Sequence, residues 1–212
     1  MKVIDLTHTF ENDISLFPGD EKPNIHEIFN VKDYGCKITS IKITTHLGTH
    51  LDCKAHIFED GFTTSDWNID KFIGSGIVID CSMLKKGEEI GIDILKKYDL
   101  CYKEFVLLYT GWDEFWKMDE YIKNYPVLSD EGAKYLTSFH IKGIGVDAIS
   151  IDAVDNEELT NHKILLGKDI IIIENLKNLQ KLLNKEFEIH ALPLKIKNGD
   201  GSPVRAIAYM SK

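Results

Sequence analysis

Apolar and polar positions alternate over some stretches of this chain and run together over others, and the two patterns predict different strands. Lys37 to Thr45 alternates branched apolar and polar residues, the period of two that marks a half-buried strand. Gly76 to Asp80, Phe105 to Tyr109, Gly143 to Val146 and Ile170 to Ile173 are short continuous apolar runs, which suit strands covered on both faces. Val204 to Tyr209 predicts one more.

Helices are fewer. Ser129 is placed to cap a helix with Asp130 and Glu131 in its first turn and Ala133, Leu136 and Phe139 along one face. Ile92 to Tyr98 and Leu176 to Leu183 are further helical candidates. Strands alternating with helices predict an α/β domain. No repeat, low-complexity segment or Pro/Gly/Ser-rich linker divides the chain, so residues 1–212 are expected to form a single domain.

Composition narrows the partners. The chain has 212 residues, 43% of them hydrophobic and 28% charged, enough to bury a sizeable core. Its formal charge of −9 argues against nucleic acid or an anionic membrane surface, both of which need a basic footprint. The longest aliphatic run, Ile170 to Ile173, is too short to cross a bilayer, and the first residues carry no targeting pattern. Cys36, Cys53, Cys81 and Cys101 are scattered with no C-x-x-C pair. They read as reduced thiols of a cytoplasmic protein.

The chemistry concentrates between residues 46 and 56. The stretch His46-Leu-Gly-Thr-His50-Leu-Asp52-Cys-Lys-Ala-His56 holds imidazole and carboxylate donors together, a set suited to zinc, manganese or iron rather than to calcium or magnesium. A helix presenting His46 and His50 one turn apart is disfavoured by Thr44, Thr45, Thr49 and Gly48. A fully extended chain would separate the two histidines by roughly 13 Å, whereas two nitrogens on one ion lie within about 4 Å of each other. The chain must therefore bend, and Gly48 is where bending costs least. His50 and Asp52 would then share one side of an extended segment.

Two distant residues could complete a site. Glu174 follows the apolar run Ile170 to Ile173, so a buried strand would deliver a carboxylate at its carboxyl end. His162 precedes the apolar stretch Ile164 to Leu166. The G-x-S-x-G, P-loop and dinucleotide-binding signatures are missing. A cysteine nucleophile at Cys53, beside His50 and His56, is the minor alternative.

The segment from His46 to His56 resembles the H-x-G-T-H-x-D-x-P-x-H signature of the cyclase family of metal-dependent hydrolases, which includes bacterial kynurenine formamidases. Asp5-Leu-Thr-His8, Phe17-Pro-Gly-Asp20, Thr110-Gly-Trp112, Gly145-Val-Asp147, Ser150-Ile-Asp152, Glu174-Asn-Leu176, Ala191-Leu-Pro-Leu194 and Gly201-Ser-Pro-Val-Arg205 follow in family order. The resemblance implies a compact α/β fold of the swivelling β/β/α type with a mixed sheet, assembled as a homodimer or higher homo-oligomer.

It also implies two metal ions, zinc or sometimes manganese. His46, His50 and Asp52 would hold the first ion, with Asp52 bridging to a second held by His162 and Glu174. His56 would transfer protons, and Phe17 would contact a small-molecule substrate. Two residues depart from the family pattern. Lys54 stands where the signature has Pro, and could favour an anionic substrate if it lay near the site. Phe17 replaces a frequent Trp. The implied activity is hydrolysis of an aryl formamide such as N-formylkynurenine, a step of tryptophan catabolism. The rivals are an isatin-hydrolase-like enzyme opening a cyclic amide or lactone, and a non-catalytic metal- or small-molecule-binding protein.

Overall fold

The structure, a computed structural model, describes residues 2–210. In chain order the strands are β1 (Lys2–Asp5), β2 (Asn24–Phe29), β3 (Ile38–Lys42), β4 (His50–Asp52), β5 (Ile73–Asp80), β6 (Glu89–Ile90) and β7 (Phe105–Tyr109). They continue with β8 (Val127–Leu128), β9 (Gly143–Val146), β10 (Ile171–Glu174), β11 (Phe187–His190), β12 (Gly201–Pro203) and β13 (Ile207–Met210). Helices α1 (Val31–Tyr34), α2 (Ile92–Leu95), α3 (Asp130–Leu136) and α4 (Thr160–Leu166) are interspersed. Nine strands form one mixed sheet in the order β1-β13-β11-β5-β7-β9-β10-β4-β12, the α/β class expected.

The centre of the sheet, β5-β7-β9-β10, is parallel. Parallel neighbours need crossovers, and α2, α3 and α4 lie on them. Both faces of these strands are therefore covered, which is why their sequences run apolar without alternation. Val106, Leu108, Ile144 and Ile172 join one core with Leu95, Leu136 and Leu165 of the helices. Phe105, Leu107, Ile171 and Ile173 point the other way, into a second core with Leu51, Phe187 and Ala208. No helix among the described residues is long and apolar enough to cross a membrane.

Helix α3 begins as its sequence demands, with the Ser129 hydroxyl accepting from the Gly132 amide at 3.0 Å. Two expectations fail. The alternating segment around β3 is not half-buried: β3 pairs only with β2 in a separate two-stranded sheet, and Ile38 and Ile41 are 45% and 61% exposed. Alternation specifies two different faces but not that another element covers one of them. The helix expected over Leu176 to Leu183 is a single 3-10 turn at Leu179–Leu182. Asn175 and Asn178 take left-handed backbone angles, and the Leu176 and Lys177 amides bond Val146 and Leu6 carbonyls instead of a helical ladder.

The sheet also sets the site. Leu51 of β4 faces the second core, so His50 and Asp52 face the opposite way, toward the helices. The antiparallel register places Glu174 of β10 opposite His50, and Ile172 opposite Asp52. Since Ile173 belongs to the second core, Glu174 emerges on the same face as His50 and Asp52.

Candidate metal centre

Gly48 makes the bend that the histidine spacing requires. Its φ is +65°, and a Cβ there would sit 2.9 Å from the Phe10 ring. The turn brings the His46 and His50 rings to a centroid distance of 5.3 Å, edge to face. Asn175 braces the bend by donating from Nδ2 to the Gly48 carbonyl at 2.9 Å, while the Thr49 hydroxyl donates back to the Asn175 carbonyl.

Asp52 is the centre of the cluster. Its Oδ1 lies 2.6 Å from His46 Nδ1 and 3.4 Å from His50 Nε2. Its Oδ2 lies 3.6 Å from His162 Nε2, is buried, and has no hydrogen-bond partner. Glu174 faces the same histidines, with Oε2 3.6 Å from His50 Nε2 and Oε1 3.4 Å from His162 Nε2. The Ile151 amide fixes that carboxylate through Oε1 at 2.8 Å.

His162 arrives on α4, an element the sequence did not announce. The helix starts after Leu159 in a left-handed conformation and has no capping side chain of its own at that position. Asp152 substitutes, accepting from the Asn161 and His162 amides at 3.0 Å each. The same carboxylate lies 2.8 Å from His162 Nδ1. His50 Nδ1 is held comparably by the Gly48 carbonyl at 2.9 Å. In both rings one nitrogen is occupied and Nε2 is aimed at Asp52 and Glu174.

The donor set fits a divalent cation on three counts. His46, His50 and Asp52 bring ligand atoms within 4.8 Å of one another, and so do Asp52, His162 and Glu174; the two triads share Asp52. Buried carboxylates are costly unless paired, and here the counter-charge falls on imidazoles. Burial disfavours a charged His46, yet Asp52 and Asp200 outweigh it and lift its pKa to about 10. His50 and His162 are raised against the same burial penalty by Asp52, Glu174 and Asp152. A bound cation would compensate the same carboxylates in place of those protons. Finally, the unpaired Oδ2 of Asp52 is the kind of orphaned buried acceptor that a cation satisfies.

The remaining expected residues fall around the same opening. A cleft of about 240 Å³ is lined by His56, Phe17, Asp20, Ile149 and Leu159 beside the ligand cluster. The His56 ring lies 4.0 Å from His46 and 5.8 Å from His162, centroid to centroid. Burial holds its pKa below the ordinary imidazole value, against the pull of Asp52. Lys54 is directed elsewhere: its Nζ donates to Asp169 Oδ1 at 3.0 Å and to the Gly167 carbonyl, so it does not approach the cleft. The Cys53 alternative also fails. Its side chain joins the second core behind β4, and burial pushes its thiol up to about 12, far from the thiolate a nucleophile needs.

Asp200 escaped the sequence reading. Its Oδ2 lies 2.7 Å from His46 Nε2 and 3.7 Å from His56 Nδ1, and these three residues form a further set with metal-ligand spacing. An aspartate between two glycines looks like a turn residue, and its partner His46 is 154 positions away. The only available signal was its place just before the Gly201-to-Arg205 motif.

A family model described as a putative cyclase matches residues 4–153. The chain is 34% identical to a kynurenine formamidase of Bacillus anthracis over 207 residues, covering 97% of this chain and 96% of the relative. It is 35% identical to a kynurenine formamidase of Bacillus mycoides strain KBAB4, covering 96% and 95%. Among solved structures, isatin hydrolase A from Labrenzia aggregata, bound to benzyl benzoate, superposes with a TM-score of 0.89 at 26% identity. That likeness covers 100% of this chain and 94% of the other.

Proposed function

The chain belongs to the cyclase family, and from that premise we propose that it is a metal-dependent amidohydrolase acting on an aryl formamide such as N-formylkynurenine. The observation that carries the proposal is the shared carboxylate of Asp52, standing between two triads of donors at the floor of a cleft. Near-full-length similarity to kynurenine formamidases supports the choice of substrate class.

In this reading His46, His50 and Asp52 would hold one ion and Asp52, His162 and Glu174 would hold a second, with zinc proposed and manganese the substitute. A bound divalent cation supplies a Lewis acid for the carbonyl oxygen and lowers the pKa of water toward about 7. The chain's own residues do the rest. Phe17, Ile149 and Leu159 offer apolar walls for an aromatic ring. Hydrolysis forms a C–O bond from water, breaks the C–N bond, and releases formate and the arylamine. The nitrogen leaves poorly as an anion, so a proton taken from water must reach it. His56, at the cleft and with its pKa held below the ordinary imidazole value by burial, accepts that proton and returns it to the nitrogen.

The proposal treats residues 1–212 as one hydrolase domain, supported by relatives that match almost its whole length. It includes a homodimer or higher homo-oligomer, a reading supported by the exposed apolar side chains of α1 and β3, among them Val31, Tyr34 and Ile41. A cytoplasmic setting suits the four free cysteines.

The fold likeness to an isatin hydrolase favours a second substrate reading, a cyclic amide opened by the same groups. Steady-state kinetics with N-formylkynurenine and with isatin decide between them. A higher kcat/KM for the formamide is expected; a clear preference for isatin would replace the substrate while keeping the chemistry.

A further inference from the structure

His46 differs from the other two imidazoles of the cluster. His50 and His162 each have Nδ1 held from behind and Nε2 turned to the carboxylates. In His46 the roles are reversed: Nδ1 faces Asp52 at 2.6 Å, and Nε2 is closed by Asp200 at 2.7 Å. The two nitrogens of an imidazole point apart. An ion shared with Asp52 and His50 on the Nδ1 side therefore lies out of reach of the carboxylate on the Nε2 side.

Asp200 is itself held in place. Its Oδ1 accepts from the Thr45 hydroxyl at 3.0 Å, and its backbone carbonyl accepts from the Cys53 amide at 2.8 Å. The next residue, Gly201, pairs with Asp52 across β12 and β4. A Cβ at Gly201 would stand 2.7 Å from His46 Cε1 and 2.7 Å from the Leu51 carbonyl. The edge strand thus approaches the His46 ring closely, and only glycine leaves room for it. Asp200 and Gly201 together form a seat for one imidazole.

We propose that Asp200 is a positioning residue for the first ion, holding His46 through Nε2 so that Nδ1 is presented to the site shared with His50 and Asp52. A carboxylate on the outer nitrogen of a ligating histidine fixes its tautomer and raises its basicity, and losing such a partner typically weakens metal binding by about 10- to 100-fold. The proposal rests on the two-ion reading above. It assigns the set His46, His56 and Asp200 to holding an imidazole, not to a third ion.

The test is a zinc titration of chelator-stripped full-length protein against a competing chromophoric chelator, comparing wild type with D200A, D200N and T45V. Wild type is expected to bind two equivalents. D200A is expected to weaken one of them by about 10- to 100-fold and leave the other. D200N keeps an acceptor oxygen for Nε2 and should recover part of the loss. T45V, which keeps the carboxylate but frees its other oxygen, should weaken the same equivalent by about 2- to 10-fold, and carries the test should D200A fail to fold. Loss confined to one equivalent separates positioning from a general fold defect, which would weaken both together and overturn the proposal. So would unchanged binding in D200A, or a third wild-type equivalent that D200A lacks. Wild type with no tight zinc would overturn this proposal and the proposed function together, whereas two wild-type equivalents unaffected by D200A would overturn this one alone.

Discussion

Asp152 holds His162 twice, accepting from its backbone amide at 3.0 Å and lying 2.8 Å from its ring Nδ1. One carboxylate therefore starts helix α4 and aims the side chain that α4 carries. Asp152→Ala is expected to lower affinity for one zinc equivalent by about 10- to 100-fold. It should also destabilise the protein by about 1–3 kcal/mol, because the Asn161 and His162 amides lose a buried acceptor. Zinc titration and urea unfolding measure the two effects; unaltered zinc binding would show that His162 needs no support.

His56 lines the cleft but belongs to neither triad that contains Asp52. His56→Ala should therefore keep both zinc equivalents while kcat falls by about 10²- to 10⁴-fold, the range for a lost general acid–base group. Metal content and single-turnover kinetics on the same preparation check this. Full turnover would remove His56 from the mechanism.

His8 gives a pH dependence. Burial, with Lys177 nearby, lowers its pKa from 6.5 to about 4; its buried Nε2 has no partner, and its ring stacks on Trp116 at 4.1 Å. As pH falls from 6.5 to 4 the unfolded chain takes up this proton before the folded one. The stability that depends on a neutral His8 is present above pH 6.5 and lost across that window. His8→Phe keeps the stack and removes the titration. Urea midpoints of metal-free protein at pH 8 and pH 5 should fall further for wild type than for the variant, and equal falls would contradict the account.

Lys54 can be exchanged for the family's proline. Cys53 before it is already extended, with φ −102° and ψ 167°, the conformation a following proline requires. Lys54 opens a short 3-10 turn, where proline is well tolerated. The half-exposed pair with Asp169 contributes about 0–1 kcal/mol, and proline returns about 0.4–1 kcal/mol by restricting the unfolded chain. Lys54→Pro should change stability by less than about 1 kcal/mol and leave kcat/KM unaltered. A marked loss of activity would mean that Lys54 reaches the substrate after all.

These residues also show what could be read from sequence. The bend at Gly48 and the shared face of His50 and Asp52 followed from local spacing, because a four-residue extended segment cannot bring two imidazoles together. Glu174 followed from its place after a buried strand. The partnership of these residues was not readable, since it depends on β10 and β4 being antiparallel neighbours, joined over more than 100 positions. His162 stood alone because α4 is started by Asp152, from the preceding loop, and not by a side chain at the cap position. Asp200 carried only its place before the Gly201-to-Arg205 motif: its contact with His46 comes from edge strand β12 lying beside that ring. The exposed β2–β3 hairpin shows the converse, a clear period whose expected covering element is absent among the described residues.

The most direct test of the central claim follows N-formylkynurenine hydrolysis together with metal content per chain. It compares protein as purified, after chelation, and after reconstitution with zinc or manganese. Activity is expected to vanish on chelation and to return in proportion to bound metal, saturating at two equivalents per chain. Activity that survives complete removal of metal, or a chain that binds no metal tightly, would contradict it.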